Sequence, residues 1–364
     1  MIDRISDRLA NGRVPKISES LIIGLLASGL AGAAEGPVPL WDLAGPPEVI
    51  GRSEAERAVG LPRLLRTMGA AAGALQWWRP GTVGAWIDAL PADHRRELSA
   101  IAAVGGVSER RILRTNVIVE TCCSVLVSLP RDGQPLRIAR NMDFWPAGVT
   151  GPATVVKRMR PAGKRVFVSV SWPGYAGVVS GMNDAGVVAC VLLNHRGSSH
   201  RDGVPITFRL REILEECPDL ESAVARFSAS PVASEHYAML ADATGAAVVW
   251  REGDRVRRAD PVDGRLAIDN SPRDAAGNPL GRRALHLLAT APVVVDSAAA
   301  RALTGATYQR GTNAQAMAFC PAEGRLDLAV GTGWHPAARN AWWAYGADAG
   351  AALGVPDRLP HHRD

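Results

Sequence analysis

The stretch Thr121-Cys122-Cys123-Ser124-Val125-Leu126-Val127-Ser128, with Arg140-Asn141-Met142-Asp143-Phe144 beyond a turn, constrains this chain more than any other. An alternating apolar run stops at Pro130-Arg131-Asp132-Gly133 and a second strand returns from Pro135 to Met142, the pattern of a β-hairpin. The return brings Arg140 and Asp143 beside the first residues of the first strand. A thiol, a guanidinium and a carboxylate then sit together. The cation favours thiolate and the carboxylate orients whichever base takes the proton, which is how a chain activates a sulfur nucleophile.

Composition permits an enzyme of this kind and removes some competitors. At 364 residues and 47% hydrophobic the chain can bury a large core, as one long domain or as a domain with a pro-segment. Its 41 Lys+Arg against 36 Asp+Glu leave a mild +5, and the arginines are interleaved with Pro, Gly and Asp. Without a dense basic stripe, nucleic acid is not an expected partner. The five cysteines, Cys122, Cys123, Cys190, Cys217 and Cys320, show no CxxC spacing, which argues against a disulfide framework and a zinc site. Cys190 reads as a core residue inside Val187–Leu193, Cys217 as a helix end and Cys320 as a strand end. No metal and no cofactor is expected.

The chain divides at Cys122. Residues 1–34 carry a short apolar stretch, Ser20 to Ala34, preceded by Arg4, Arg8, Arg13 and Lys16 but broken by Asp3, Asp7 and Glu19. A signal peptide and an amphipathic helix are equally compatible, so secretion, a cytoplasmic location and a membrane-surface association stay open; the stretch is too short and weak to span. Residues 35–121 read as a mainly helical pro-segment, with helices over Glu54–Met68, Val83–Leu90, Ala92–Ala103 and Ser108–Asn116. From Cys122 to 364, strands dominate: Lys164–Ser171, Gly177–Met182, Gly186–Asn194, His236–Ala241, Ala246–Arg251, Leu266–Asn270, Gln315–Phe319, Leu326–Gly331 and Trp342–Gly346. Helices are expected over Ile206–Glu216, Leu220–Phe227 and Arg282–Thr290. Hairpins and paired helices without βαβ alternation give an α+β class with antiparallel sheets and helices outside.

The hairpin resembles the start of the mature chain in N-terminal-nucleophile (Ntn) hydrolases of linear amides, the acid ceramidase, N-acylethanolamine amidase, choloylglycine hydrolase and penicillin acyltransferase group. Their Cys-Thr-Ser or Cys-Thr-Gly, then Arg-Asn-Met-Asp, stands here as Cys122-Cys123-Ser124 and Arg140-Asn141-Met142-Asp143. The serine two places on favours Cys122 as the nucleophile, with Cys123 as the alternative. Three further segments match in order. Ser180-Gly181-Met182-Asn183-Asp184-Ala185-Gly186 followed by Leu192-Leu193-Asn194 resembles the family's Gly-Met-Asn…Leu-Asn. Ile268-Asp269-Asn270-Ser271-Pro272 resembles its Thr-Asn segment, with Asp269 in place of Thr, and Arg282-Arg283 resembles the arginine pair that follows.

The resemblance implies a four-layer αββα sandwich of two antiparallel sheets and cleavage between Thr121 and Cys122, the two pieces staying associated. The freed α-amine, with a reference pKa of roughly 7.7–8.0, serves as base for its own thiol. Asn194 and Asn270 hold the oxyanion, Arg140 and Asp143 support the nucleophile, and Arg283, or Arg282, completes the site. Taken singly, Asn194 before His195-Arg196-Gly197 reads as a turn residue, and Arg282 or Arg283 as a solvated helix face. His195 and His200 read as exposed loop histidines. Trp41, Trp77, Trp78, Trp86, Trp145 and Trp172 suit an aromatic-lined acyl pocket, although core packing is the default for any one of them. Three functions follow in order: a hydrolase of N-acyl amides with a small-molecule substrate, an acyltransferase of secondary metabolism using the same site, and a non-catalytic binding protein that keeps the fold.

Overall fold

The computed structural model describes residues 37–58, 60, 82–117, 122–144, 147–194, 197–270, 296–308, 312–332, 335–346 and 358–359. These residues belong to a compact unit spanning Pro37–Asp364. The described residues open with β1 (Leu40–Gly45), then α1 (Pro47–Arg57), α2 (Thr82–Asp88), α3 (Ala92–Gly105) and α4 (Glu109–Asn116). The hairpin is β2 (Cys122–Ser128) and β3 (Arg137–Asp143), followed by α5 (Ala147–Thr150). Next come β4 (Val155–Pro161), β5 (Phe167–Ser171), β6 (Ser180–Asn183) and β7 (Val188–Leu192), then α6 (Ile206–Glu216) and α7 (Leu220–Ser228). The remaining elements are β8 (Tyr237–Ala241), β9 (Ala246–Glu252), β10 (Arg255–Ala259), β11 (Arg265–Asp269), α8 (Ser297–Thr307), β12 (Asn313–Cys320), β13 (Arg325–Val330), β14 (Trp342–Gly346) and β15 (Arg358–Leu359).

The strands form two sheets, ordered β1-β4-β5-β6-β7-β8-β9-β10 and β11-β2-β3-β12-β13-β14-β15. Period-2 alternation gives each sheet an inner apolar face. Val125, Val127, Ile138 and Met142 from one sheet share a buried cluster with Val168, Met182, Cys190 and Met239 from the other. Outside the second sheet, Leu126, Ala139, Ala316 and Ala318 pack with Ala300 of α8. Outside the first, α6 buries Leu210, Ile213 and Leu214, while its Phe208 joins Trp86, Leu98 and Ile112 of the earlier helices. Gly181 lets α6 come close: a Cβ there would lie 2.7 Å from both Leu214 Cδ1 and the Val168 carbonyl. The architecture is the αββα sandwich.

The hairpin turn follows local chemistry. Asp132 and Gly133 take φ of 50° and 77°, the left-handed pair that a two-residue turn needs to match strand twist.

The described residues before the hairpin carry four helices and one strand, β1, which the sequence did not suggest. β1 adds to the first sheet beside β4, in parallel, with Leu40 opposite Val156 and Gly45 opposite Pro161. The segment is also fastened by buried ions. Glu54 accepts from Lys157 Nζ at 2.6 Å and from the Gly174 amide at 2.6 Å. Arg211 of α6 bridges Glu97 of α3 and Glu215, and His94 lies 3.4 Å from Glu215. Asn116 closes the last helix by donating to the Gly174 carbonyl and accepting from the Ala176 amide. The expected helix from Glu54 is observed over Pro47–Arg57, and residues 61–68 lie outside the described residues. Cys217 follows the last residue of α6 and Cys320 ends β12, as expected. Among the described residues no helix is long and apolar enough to cross a membrane.

Candidate active site

The two strands of the hairpin set the site's register. Cys122 pairs with Asp143, Cys123 with Met142, Ser124 with Asn141 and Val125 with Arg140. Cys122 is described through this pairing. Cys123 is 1% exposed and lies with the inward-facing core residues.

Arg140 is fully buried on that inner face. It donates to Cys123 Sγ at 3.4 Å, Ser180 Oγ at 2.6 Å, the Val191 carbonyl at 2.7 Å and the Val179 carbonyl at 3.3 Å. Its Nη1 has no hydrogen-bond partner among the described residues. No carboxylate among them is recorded against it either; the strands around it offer a hydroxyl, carbonyls and a thiol. Cys190 of β7 is the second thiol in this neighbourhood. Burial pushes it up to about 11 despite the nearby guanidinium, so it stays protonated at neutral pH.

Asp143 lies on the other face. It accepts from Asn313 Nδ2 at 3.0 Å, and the same amide donates to Asn141 Oδ1 at 3.1 Å. Asn141 in turn donates to the Thr304 carbonyl and Thr307 Oγ1 of α8, each at 2.8 Å. The expected gathering of thiol, guanidinium and carboxylate on one side is therefore corrected. Positions an odd number apart on a strand point to opposite faces, and this parity separates Arg140 from Asp143.

Asn270, like Arg140, ties the two sheets together. Its Oδ1 accepts the Cys123 amide, and its Nδ2 donates to the Leu193 carbonyl at 2.6 Å, one residue before Asn194. Asn194 is buried and its side-chain amide donates to the Glu235 carbonyl at 3.0 Å. Of the remaining motif, Ser180 reaches Arg140, whereas Asn183 is a scaffold residue. It accepts from the Ala185 and Val187 amides and donates to the Leu214 and Cys217 carbonyls. Thr121, Arg282, Arg283 and His195, with the helix expected over Arg282–Thr290, lie outside the described residues, as do residues 1–34.

The loop beyond Asn194 is held by Glu235. Its carboxylate takes the Ser198 amide at 2.9 Å, the Gly253 amide at 3.0 Å and His200 Nε2 at 3.2 Å. Burial opposes ionisation, but those two amides and His200 together keep the carboxyl below its usual range. His200 is thus a paired, half-buried residue rather than an exposed one. Its carbonyl accepts the Trp86 indole N–H at 2.6 Å. Trp172 is buried, donates to the Thr150 carbonyl at 2.7 Å and meets Tyr175 edge-on. Both tryptophans are buried in core clusters. Glu235 and Asn313 were missed in the sequence; a polar residue opening a mostly apolar strand, as Asn313 does, was the available signal for the second.

Residues 130–267 match the family of acyl-coenzyme A:6-aminopenicillanic acid acyl-transferases. That span contains Arg140, Asp143 and Asn194, and starts beyond the two cysteines. The match covers well under half of the chain and lies within the two facing sheets and their outer helices. Among solved structures the chain is similar to a Caenorhabditis elegans N-acylethanolamine-hydrolyzing acid amidase ortholog. Identity is 16% over 55% of this chain and 93% of that one, with a TM-score of 0.46. It is similar also to a mutant of the conjugated bile acid hydrolase from Clostridium perfringens (12% identity over 66% of this chain and 97% of that one, TM-score 0.44). A third is penicillin V acylase from Agrobacterium tumefaciens (16%, 66% and 98%, TM-score 0.38). No curated protein matches the sequence.

Proposed function

We propose that this chain is a cysteine Ntn enzyme that breaks linear N-acyl amides and activates itself by cutting its own backbone at the head of β2. The observation that carries the reading is the buried Arg140 guanidinium set 3.4 Å from a cysteine thiol of that strand. A buried cation with no carboxylate partner among the described residues is costly, and a thiolate beside it offsets the cost. In the first step the thiol adds to the carbonyl carbon that precedes it. The C–N bond breaks, a thioester forms, and the thiol proton passes to the released nitrogen. Water then hydrolyses the thioester, leaving a free thiol and a free α-amine on one residue. In turnover that amine takes the thiol proton and delivers it to the leaving amine of the substrate. Asn270 and the backbone at Asn194 supply donors to the oxyanion.

The pieces remain together in this reading. β1 is hydrogen-bonded into the first sheet, and Glu54, Glu97, His94 and Asn116 reach residues that follow the cut. Acyl transfer is the second reading, favoured by the acyltransferase family match: an amine in place of water takes the acyl group from the same thioester.

Intact-mass measurement after expression, followed by turnover of N-acyl amides with and without an amine acceptor, tests both. Two co-eluting fragments and released fatty acid support hydrolysis; an acceptor-dependent amide product supports transfer. An intact chain with no turnover leaves the non-catalytic binding protein as the answer.

A further inference from the structure

We infer that Cys123, not Cys122, is the nucleophile, and that the bond cut is the one joining the two cysteines. The inference rests on the autoprocessing reading above and settles which thiol acts within it. Sequence order favoured Cys122; geometry favours its neighbour. Among the described side chains, Cys123 Sγ is the thiol that Arg140 touches. Arg140 is fully buried, and its Nη1 is a second, unused donor among the described residues. Such a guanidinium stabilises negative charge on the sulfur it faces.

The nitrogen fits as well. The Cys123 amide donates to Asn270 Oδ1, so the atom that would become the α-amine is already held. The side chain that holds it also binds the Leu193 carbonyl, beside Asn194. Two residues singled out along the sequence, Arg140 and Asn270, thus converge on position 123. The register partner of Cys122 is Asp143, whose carboxylate is engaged by Asn313 on the opposite face from Arg140. Cys190, the other thiol near Arg140, sits inside β7 and stays protonated.

The chemistry balances without a further reactant. Cys123 Sγ bonds to the Cys122 carbonyl carbon as the Cys122–Cys123 C–N bond breaks. The thiol proton goes to the Cys123 nitrogen. One water then splits the thioester, its hydroxyl ending on the Cys122 carboxyl group and its hydrogen on sulfur.

The test is the mass and first residue of the larger fragment from the full chain. Cleavage before Cys123 gives pieces of 122 and 242 residues (364 − 122). Cleavage before Cys122 gives 121 and 243 (364 − 121). Cys122→Ala should process fully and keep turnover within about twofold, the size of a surface-type effect, while Cys123→Ala stays intact. Should Cys123→Ala fail to fold, alkylation of the processed parent decides. Iodoacetamide should abolish turnover with the adduct on Cys123 by peptide mass. A fragment beginning at Cys122, or inactivation through an adduct on Cys122, overturns the inference while leaving the autoprocessing reading intact. A parent chain that is never cut overturns both.

Discussion

Arg140 and Asp143 stand on one strand and serve opposite faces of it. Arg140 donates inward to Cys123 Sγ and Ser180 Oγ, and Asp143 accepts outward from Asn313, which also holds Asn141 against α8. Their substitutions should therefore fail differently.

Arg140→Gln should fold with lower stability and lose thiol reactivity. An opposite charge within a few ångströms typically shifts a titrating group by about 1–3 units toward its charged form. Removing the cation raises the thiol pKa, so the pH profile of alkylation and of turnover should move to the alkaline side by about that much. A profile left in place would make Arg140 a core ion with no part in activating sulfur.

Asp143→Asn keeps the size of the side chain and one acceptor for Asn313. The variant should keep a near-parent Tm while processing and turnover fall. Parent-like fragment yield and parent-like kcat in the folded variant would leave Asp143 a structural residue of the Asn141–Asn313 network.

Asn270→Ala removes the contact to the Cys123 nitrogen and an amide donor from the same side chain. Loss of one preorganised donor costs roughly 10²–10³ in kcat, and KM should change little because the bond strengthens as charge develops. Asn194→Ala should be milder, since its side chain is spent on the Glu235 carbonyl. Steady-state kinetics on processed protein check this. A loss for Asn270→Ala below about tenfold, far short of a donor effect, would leave it a clamp between the sheets.

The tie between the helices before the hairpin and the rest of the fold should weaken in acid. Burial alone would raise the Glu215 carboxyl, but Arg211, His94 and Lys164 together hold it well below the usual carboxylate range. A depressed carboxyl contributes stability that is complete above its unfolded pKa, roughly 4.3, and is lost as pH falls toward the folded value. The Tm of processed protein should drop from neutral pH to pH 3. Glu215→Gln should be less stable at pH 7 and less sensitive to acid, because its partner Arg211 is left with one anion fewer; breaking a buried pair typically costs about 3–5 kcal/mol. Equal acid sensitivity in the two proteins would assign the effect to other carboxylates.

Much of the fold was legible because its signals are local. The Asp132-Gly133 turn, the apolar run that became β7, and the amphipathic helix Ile206–Glu216 all depend on neighbours within a few residues, and the helix bounds agree with those observed. Parity along β3 was equally present in the sequence and already separates Arg140 from Asp143. Other elements were hidden. β1 lies in a segment that reads as helical, and β4, Val155–Pro161, carries Lys157 and Arg158, whose charges hide an apolar alternation. β1 becomes a strand through pairing with β4, which also pairs with β5, and Lys157 is buried because Glu54, 103 positions earlier, meets it.

The sequence by itself determined that a cysteine heads a hairpin strand and that an arginine, an aspartate and two asparagines follow in order. Which of two adjacent cysteines receives the guanidinium, which face takes the carboxylate, and that Asn270 reaches back 147 positions to the Cys123 amide were decided by tertiary structure. The reason is geometric. Alternation along a strand leaves two faces equivalent until a second sheet covers one and a helix the other, and that covering comes from segments far along the chain.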